Sequence, residues 1–166
     1  MHIVAILVNN QFGVLNRVTS MFRRRQFNIS TLTVSETENR EHSRITVTFS
    51  GKESLKQQLV NQLYKLPDVI SVEEFNRDNS VSFELLLIKM KNEQQYKQEI
   101  MSAADVFNAK VVDFTKDSII LRLTDDSRRI DDFIDIMRDY TVLEICRTGV
   151  VSLEKGSVTI RETVNL

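Results

Sequence analysis

One rhythm runs twice along these 166 residues, and it leaves few folds open. The first pass begins with "IVAILV" (3–8), a short run that is apolar throughout and reads as a strand. Val14, Leu15, Val18, Met21 and Phe22 then recur at i, i+1, i+4, i+7 and i+8, one stripe of an amphipathic helix. Residues 28–36 alternate, with Leu32 and Val34 on one side and Thr31, Thr33 and Ser35 on the other. "RITVTFS" alternates through Ile45, Val47 and Phe49. Leu55, Leu59, Leu63 and Leu66 mark a second helix that Pro67 stops, and "VISVEEF" is a fourth strand. The order is β-α-β-β-α-β.

The polar, unpatterned "NRDNS" (76–80) follows, and the rhythm starts again. "VSFELLLIKM" reads as a strand, Tyr96, Ile100, Ala103 and Phe107 as a helix stripe, and "KVVDF" with "SIILRL" as a strand pair. Ile130, Phe133, Ile134 and Met137 give a further helix, and "VLEICRTGVV" a last strand. "LYKLPDVISV" and "IMRDYTVLEI" align at their apolar positions, as two copies of one plan would. The fold class expected is α+β, with two ferredoxin-like βαββαβ domains. Each has a four-stranded antiparallel sheet with both helices on one face. The expected boundaries are a first domain at 1–76, a linker at 77–80 and a second domain at 81–166. The uncovered sheet faces suggest an oligomer. Val158, Ile160 and Val164 alternate in the tail (152–166), which reads as an added strand, a disordered end or a partly ordered extension.

Composition excludes several functions. The net charge of −1, and 9 basic against 7 acidic residues in the first half, give no field for gripping phosphates or an anionic membrane. The strand "RITVTFS" offers one aromatic, Phe49, and lacks the stacking motif of RNA-binding sheets. No apolar run reaches the roughly 20 residues of a membrane span, and the start of the chain lacks a signal peptide's basic residues, so a cytoplasmic protein is expected. Asn28-Ile29-Ser30 matches a glycosylation acceptor, an accidental match without a secretory signal. The single cysteine, Cys146, reads as a core or near-core residue, and His2 and His42 as surface residues. Asp131, Asp132 and Asp135 beside Arg128 and Arg129 suit a solvated helix start, and Arg23, Arg24 and Arg25 a helix end. No nucleophile–base pair, paired-histidine helix or phosphate-binding glycine loop is present, so neither a catalytic nor a metal site is expected.

One of only four glycines, Gly13, stands where "NNQFG" joins the first strand to the first helix. A helix N-terminus offers unpaired N–H groups to a carboxylate, and glycine there permits close approach or φ > 0. Asn10 adds an amide, and Asn28 opens the next strand. Together these describe a pocket for a small amino acid, while Gly13 alone is better explained by plain turn chemistry.

"NNQFGVLNRVTSMFRRRQFNISTLTV", followed by "SRITVTF" and "LVNQLYKLPDVISV", closely resembles the regulatory (small) subunit of acetolactate synthase, or acetohydroxyacid synthase, with its N-terminal ACT domain. "FELLLIKM", "AADVFNAKVVDFT" and "RTGVVSLEKG" extend the resemblance over about nine-tenths of the chain. It implies a non-catalytic chain that activates a separate catalytic (large) subunit. It also implies feedback inhibition by valine or another branched-chain amino acid, such as isoleucine. Thiamine diphosphate and Mg would belong to that subunit, and this chain would bind no cofactor. The resemblance implies an effector held between two ACT domains of a homodimer. It carries the site onto Asn10, Gln11, Phe12, Gly13, Val14 and Leu15, and onto Asn28, Ile29 and Ser30. Two departures stand out: Phe12 where proline is usual, and Gln26 where glycine is usual. Both add bulk near the expected pocket. Two other readings use the same residues: a free-standing ACT-type sensor for a different enzyme or transcription complex, and an enzyme working through the carboxylates of the second half.

Overall fold

The computed structural model describes residues 1–76 and 78–161. The elements run β1 (His2–Asn9), α1 (Val14–Arg24), β2 (Ile29–Glu36), β3 (His42–Phe49), α2 (Glu53–Leu63) and β4 (Val69–Phe75). They continue with β5 (Ser80–Lys91), α3 (Lys97–Val106), β6 (Lys110–Phe114), β7 (Ser118–Asp125), α4 (Ser127–Met137), β8 (Val142–Arg147) and β9 (Val151–Glu154). The doubled β-α-β-β-α-β order is as the periodicity predicts. One sheet is ordered β2-β3-β1-β4 and the other β6-β7-β5-β8, with β9 added against β5. All the pairings within each four-strand path are antiparallel.

Two compact units result: Met1–Ser82 with the chain from Val150 onward, and Phe83–Gly149. The structure therefore divides the chain differently from the expected 76/81 boundary. Ser80, expected in the linker, begins β5, and residues 150–161 pack with the first unit rather than the second. The single strand expected over "VLEICRTGVV" is broken at Gly149, whose φ of +83° turns the chain between β8 and β9.

In the first unit Val4, Ile6 and Val8 of β1 share a face with Ile45, Val47 and Phe49 of β3. Val14, Val18, Met21 and Phe22 of α1 and Leu59, Val60 and Leu63 of α2 close over that face as one core. Register puts Leu32 and Val34 on the same face, opposite Val47 and Ile45. At the sheet edge, however, they stay 37% and 41% exposed. The opposite face carries Ala5 and Leu7, both buried, and Ile160 of the tail packs on them together with Ile70 and Phe75. The tail is thus an ordered strap, with Val158 exposed and Val164 outside the described residues.

The second unit buries Leu86, Ile88 and Met90 of β5 with Ile119, Leu121 and Leu123 of β7 under α3 and α4. Cys146, expected near the core, is exposed. It lies on edge strand β8 opposite Leu87, on the face that points away from the helices. His42 opens β3, and His2 stacks near Phe49 with ring centroids 5.3 Å apart while its Nε2 bonds the Gly51 carbonyl at 2.8 Å.

Candidate effector site

The loop between β1 and α1 is held from below. Asn10 N donates to the Glu41 carbonyl at 2.7 Å, and its Nδ2 donates to the Arg40 carbonyl at 2.9 Å and to Glu36 Oε1 at 3.2 Å. Asn10 thereby fastens the loop to the end of β2 and the β2–β3 turn. Gln11 and Phe12 are exposed, Phe12 fully. Gly13 has φ +81° and ψ −1°, the left-handed region, and is the N-cap of α1. A side chain there would be strained on backbone grounds alone.

The N-terminus of α1 has no side-chain cap and no acidic residue in its first turn. The other three helices carry an anion of their own: Glu53 in α2, Glu99 in α3 and the Asp126 carboxylate capping α4. The positive end of the α1 dipole thus meets no side-chain cap and no acidic residue of its own first turn. Arg17, one turn in, adds a cation. Its Nη1 lies 3.3 Å from where a Cβ on Gly13 would stand, and its Nε donates to Asp68 Oδ2 at 2.6 Å. Arg17 was not among the residues expected from the sequence, although its i+4 spacing from Gly13 puts it on the same side of the helix. Val14, expected at the site, is buried in the core, so only its backbone faces the loop, and its N–H donates to the Gln11 carbonyl at 3.3 Å. Leu15 is exposed.

Asn28, Ile29 and Ser30 lie elsewhere. Ile29 pairs with Phe49, and Phe49 pairs with His2, at one end of the sheet. The loop leaves β1 at the other end, where Asn9 pairs with His42. Seven residues of strand separate the two levels, about 23 Å at ~3.3 Å per residue. The structure does not bring the two expected halves of the site together within one chain.

Gln26 has φ +58° and follows the C-cap of α1. Phe27 N bonds the Phe22 carbonyl at 3.0 Å, the pairing that closes a helix with a left-handed residue, usually glycine. The bulk expected from Gln26 is therefore on an exposed helix end, and what the position demands is backbone conformation.

The second unit holds one buried ionic cluster. Glu84 is 2% exposed and accepts from Arg147 Nε at 2.7 Å, Arg147 Nη2 at 2.9 Å and Ser127 Oγ at 3.0 Å. Burial opposes ionisation of Glu84, but these donors outweigh it and hold the carboxyl below its usual range. Arg147 also pairs with Asp131 at 2.7 Å, and Asp135 pairs with Arg138 at 2.8 Å, so these two carboxylates of α4 are engaged in ion pairs.

A βαββαβ unit whose β1–α1 loop ends on a left-handed glycine at an uncapped helix start has the architecture of an ACT domain. Residues 4–71 match the family described as "AHAS small subunit-like ACT domain", and residues 83–156 match "Small subunit of acetolactate synthase". The probable acetolactate synthase small subunit of Archaeoglobus fulgidus is 40% identical over 94% of this chain and 98% of its own. That of Mycolicibacterium smegmatis is 39% identical over 93% and 91%. The crystal structure of the small subunit from Thermotoga maritima superposes with a TM-score of 0.87 at 34% identity, over 95% of this chain and 98% of that one. The chain belongs to the acetolactate synthase small-subunit family and is a regulatory rather than a catalytic subunit, whose partner is the large subunit. Among the described residues no helix is long and apolar enough to cross a membrane.

Proposed function

We propose that this chain activates the catalytic subunit of acetolactate synthase in the cytoplasm and makes it sensitive to valine or another branched-chain amino acid, through a site completed by a second copy. Thiamine diphosphate and Mg would sit on the catalytic subunit. The observation that carries the reading is the 23 Å separation of the two site segments. Two copies related by a two-fold axis beside β2 would pair their β2 strands antiparallel. The start of one β2, with Asn28, Ile29 and Ser30, would then lie against the end of the other, where Asn10 bonds Glu36. The opposite edge strand is already blunted, since Tyr64 Oη bonds both the N–H and the carbonyl of Val72 in β4 at 3.3 Å. The β2 edge has no strand partner among the described residues and exposes Leu32 and Val34.

In this dimer the effector carboxylate meets the N–H groups at Gly13 and Leu15, with Arg17 behind them. The amide of the partner copy's β2 start meets the ammonium. The apolar side chain meets exposed Phe12 and Leu15. The test is co-purification with the catalytic subunit and a valine titration of the reconstituted complex. Activity should rise on adding the chain and fall with valine. A complex activated but indifferent to every branched-chain amino acid would remove the sensing role. Light scattering should give a dimer at micromolar concentration, and a monomer with and without valine would remove the shared site.

A further inference from the structure

The back face of the first sheet holds a carboxylate in an arrangement that neutral packing does not explain. Glu73 of β4 is 5% exposed. It shares that face with Ala5, its partner in β1, and with Arg44 of β3. Glu73 Oε2 accepts from Arg44 Nη2 at 3.3 Å, while Glu73 Oε1 is buried with no donor among the described residues. The strap is brought to this spot by Arg44, whose Nη2 bonds both Glu73 and the Ser152 carbonyl, two residues before Glu154 of β9, and Glu154 is the carboxyl of the strap that acts on Glu73. Two ionised carboxylates meeting there would have no donor between them, and buried Glu73 Oε1 would bear the cost.

We infer that Glu73 carries its proton on Oε1 and donates it to the Glu154 carboxylate, so that a single proton fastens the strap 150–161 across the back of the ACT sheet. The remaining attachments are not proton-dependent in the same way. Arg44 Nη2 donates to the Ser152 carbonyl at 2.8 Å, Ser82 and Ser152 hydroxyls meet at 2.7 Å, Lys155 N donates to the Asn79 carbonyl at 2.7 Å, and Arg161 pairs with Glu38 at 2.8 Å.

The charged groups around the site are Arg44 from β3, Glu154 from β9, and Glu38, which acts on Arg44 from beyond β2. β1 contributes only Ala5 and Leu7. Burial is the largest influence on Glu73 and, with Glu154, raises it above its usual range against the pull of Arg44. The sign follows. A carboxyl raised in the folded state gives stability that is fully present below the ordinary value of about 4.3 and is lost as pH rises through the folded value. Deprotonation sets two carboxylates against each other under the strap and loosens it. Ala5, Leu7 and Phe75 are the surface it would uncover.

Hydrogen exchange of the full chain, expressed as protection relative to the unfolded rate and measured from below the ordinary carboxyl value, about pH 3, up to about pH 9, tests this. Protection of residues 151–160 should fall with rising pH and level off, while β1 and β3 of the same molecule stay protected. Glu73→Gln keeps the shape and supplies a permanent donor to Glu154, so its strap protection should be high and flat. Glu154→Gln supplies a donor from the other side and should also be flat. Wild-type protection independent of pH would overturn the inference, as would Glu73→Gln following the wild-type curve. A strap released in Glu73→Gln at all pH values, with β1 and β3 still protected, would mean that an ionised Glu73 holds it through Arg44 alone, and would overturn it too.

Discussion

α1 and α4 are both eleven-residue helices, one in each unit, and their N-termini are built in opposite ways. Asp126 turns its carboxylate onto the N–H groups of Arg128 and Arg129, at 2.9 and 3.0 Å, so the start of α4 is satisfied by its own chain. α1 begins on a left-handed glycine with no cap and a cation one turn away. The buried glutamates differ as well. Glu84 is met by three donor hydrogen bonds and held as an anion, whereas Glu73 faces an arginine on one side and a carboxyl on the other. The lesson is that one supersecondary plan, used twice, caps the start of α4 with a carboxylate of its own chain in the second unit and leaves the start of α1 uncapped in the first. Whether a helix start is capped by its own chain follows from the residue at that start, not from the fold.

The strongest way to break this contrast is to make the second unit unsatisfied. Arg147→Ala would leave Glu84 buried without its main partner. It should cost about 3 kcal/mol, at the low end for a buried pair because Arg147 is itself one-third exposed. Thermal unfolding monitored in the second unit should show the loss. Because Glu84 is held below its usual range, the wild-type contribution should be present above about pH 4.3 and disappear as pH falls through the folded value. Glu73 should behave in the reverse sense, losing stability as pH rises.

Next in size is Gly13→Asp, which makes α1 resemble α4. Aspartate tolerates φ > 0 better than most residues, at a cost of about 1 kcal/mol, and its carboxylate would stand beside Arg17. It should therefore occupy the effector's anion site internally, lowering valine sensitivity by roughly a hundredfold or more, ~2.8 kcal/mol, while activation persists. Gly13→Asn, neutral and equally tolerant of the backbone, should lose much less. Equal losses would assign the effect to backbone strain rather than to the vacant charge.

The smallest effect expected is Gln26→Gly, which gives α1 the helix end it lacks. The second unit already has the better residue at the matching place. Asn108 sits at φ +56°, with Ala109 N bonding the Ala104 carbonyl at 2.8 Å. Relieving Gln26 should stabilise the first unit by about 1 kcal/mol with valine sensitivity retained, read from thermal unfolding and a titration. A change in effector preference instead would return Gln26 to the pocket.

The strands and helices were legible because their periods of 2 and 3.6 are written in Val47, Phe49, Leu59 and Leu63 regardless of partners. Sheet position was not. Cys146 follows an apolar run that reads as core, yet β8 is an edge strand and its outward face is bare. Val14 could be assigned to the core stripe or to the loop by sequence, and packing put its side chain in the core. Arg17 and Asp68 meet across 51 positions, a pairing no local pattern contains. The strap escaped because Ile160 has its contacts on Ala5 and Leu7, more than 150 residues away in sequence. The site residues were named through the resemblance, but their placement at opposite ends of one sheet required the topology.

That placement has one direct test. Gly13→Asp damages the loop half of the site and Asn28→Ala the β2 half, and each variant alone should make the reconstituted enzyme insensitive to valine. If the site is shared between copies, letting the two variants exchange subunits creates heterodimers with one doubly damaged site and one intact site. Valine inhibition should then return in part, with near wild-type affinity. If each site lies within one chain, every site in the mixture still carries one lesion, and inhibition that fails to return after verified subunit exchange would contradict the shared site.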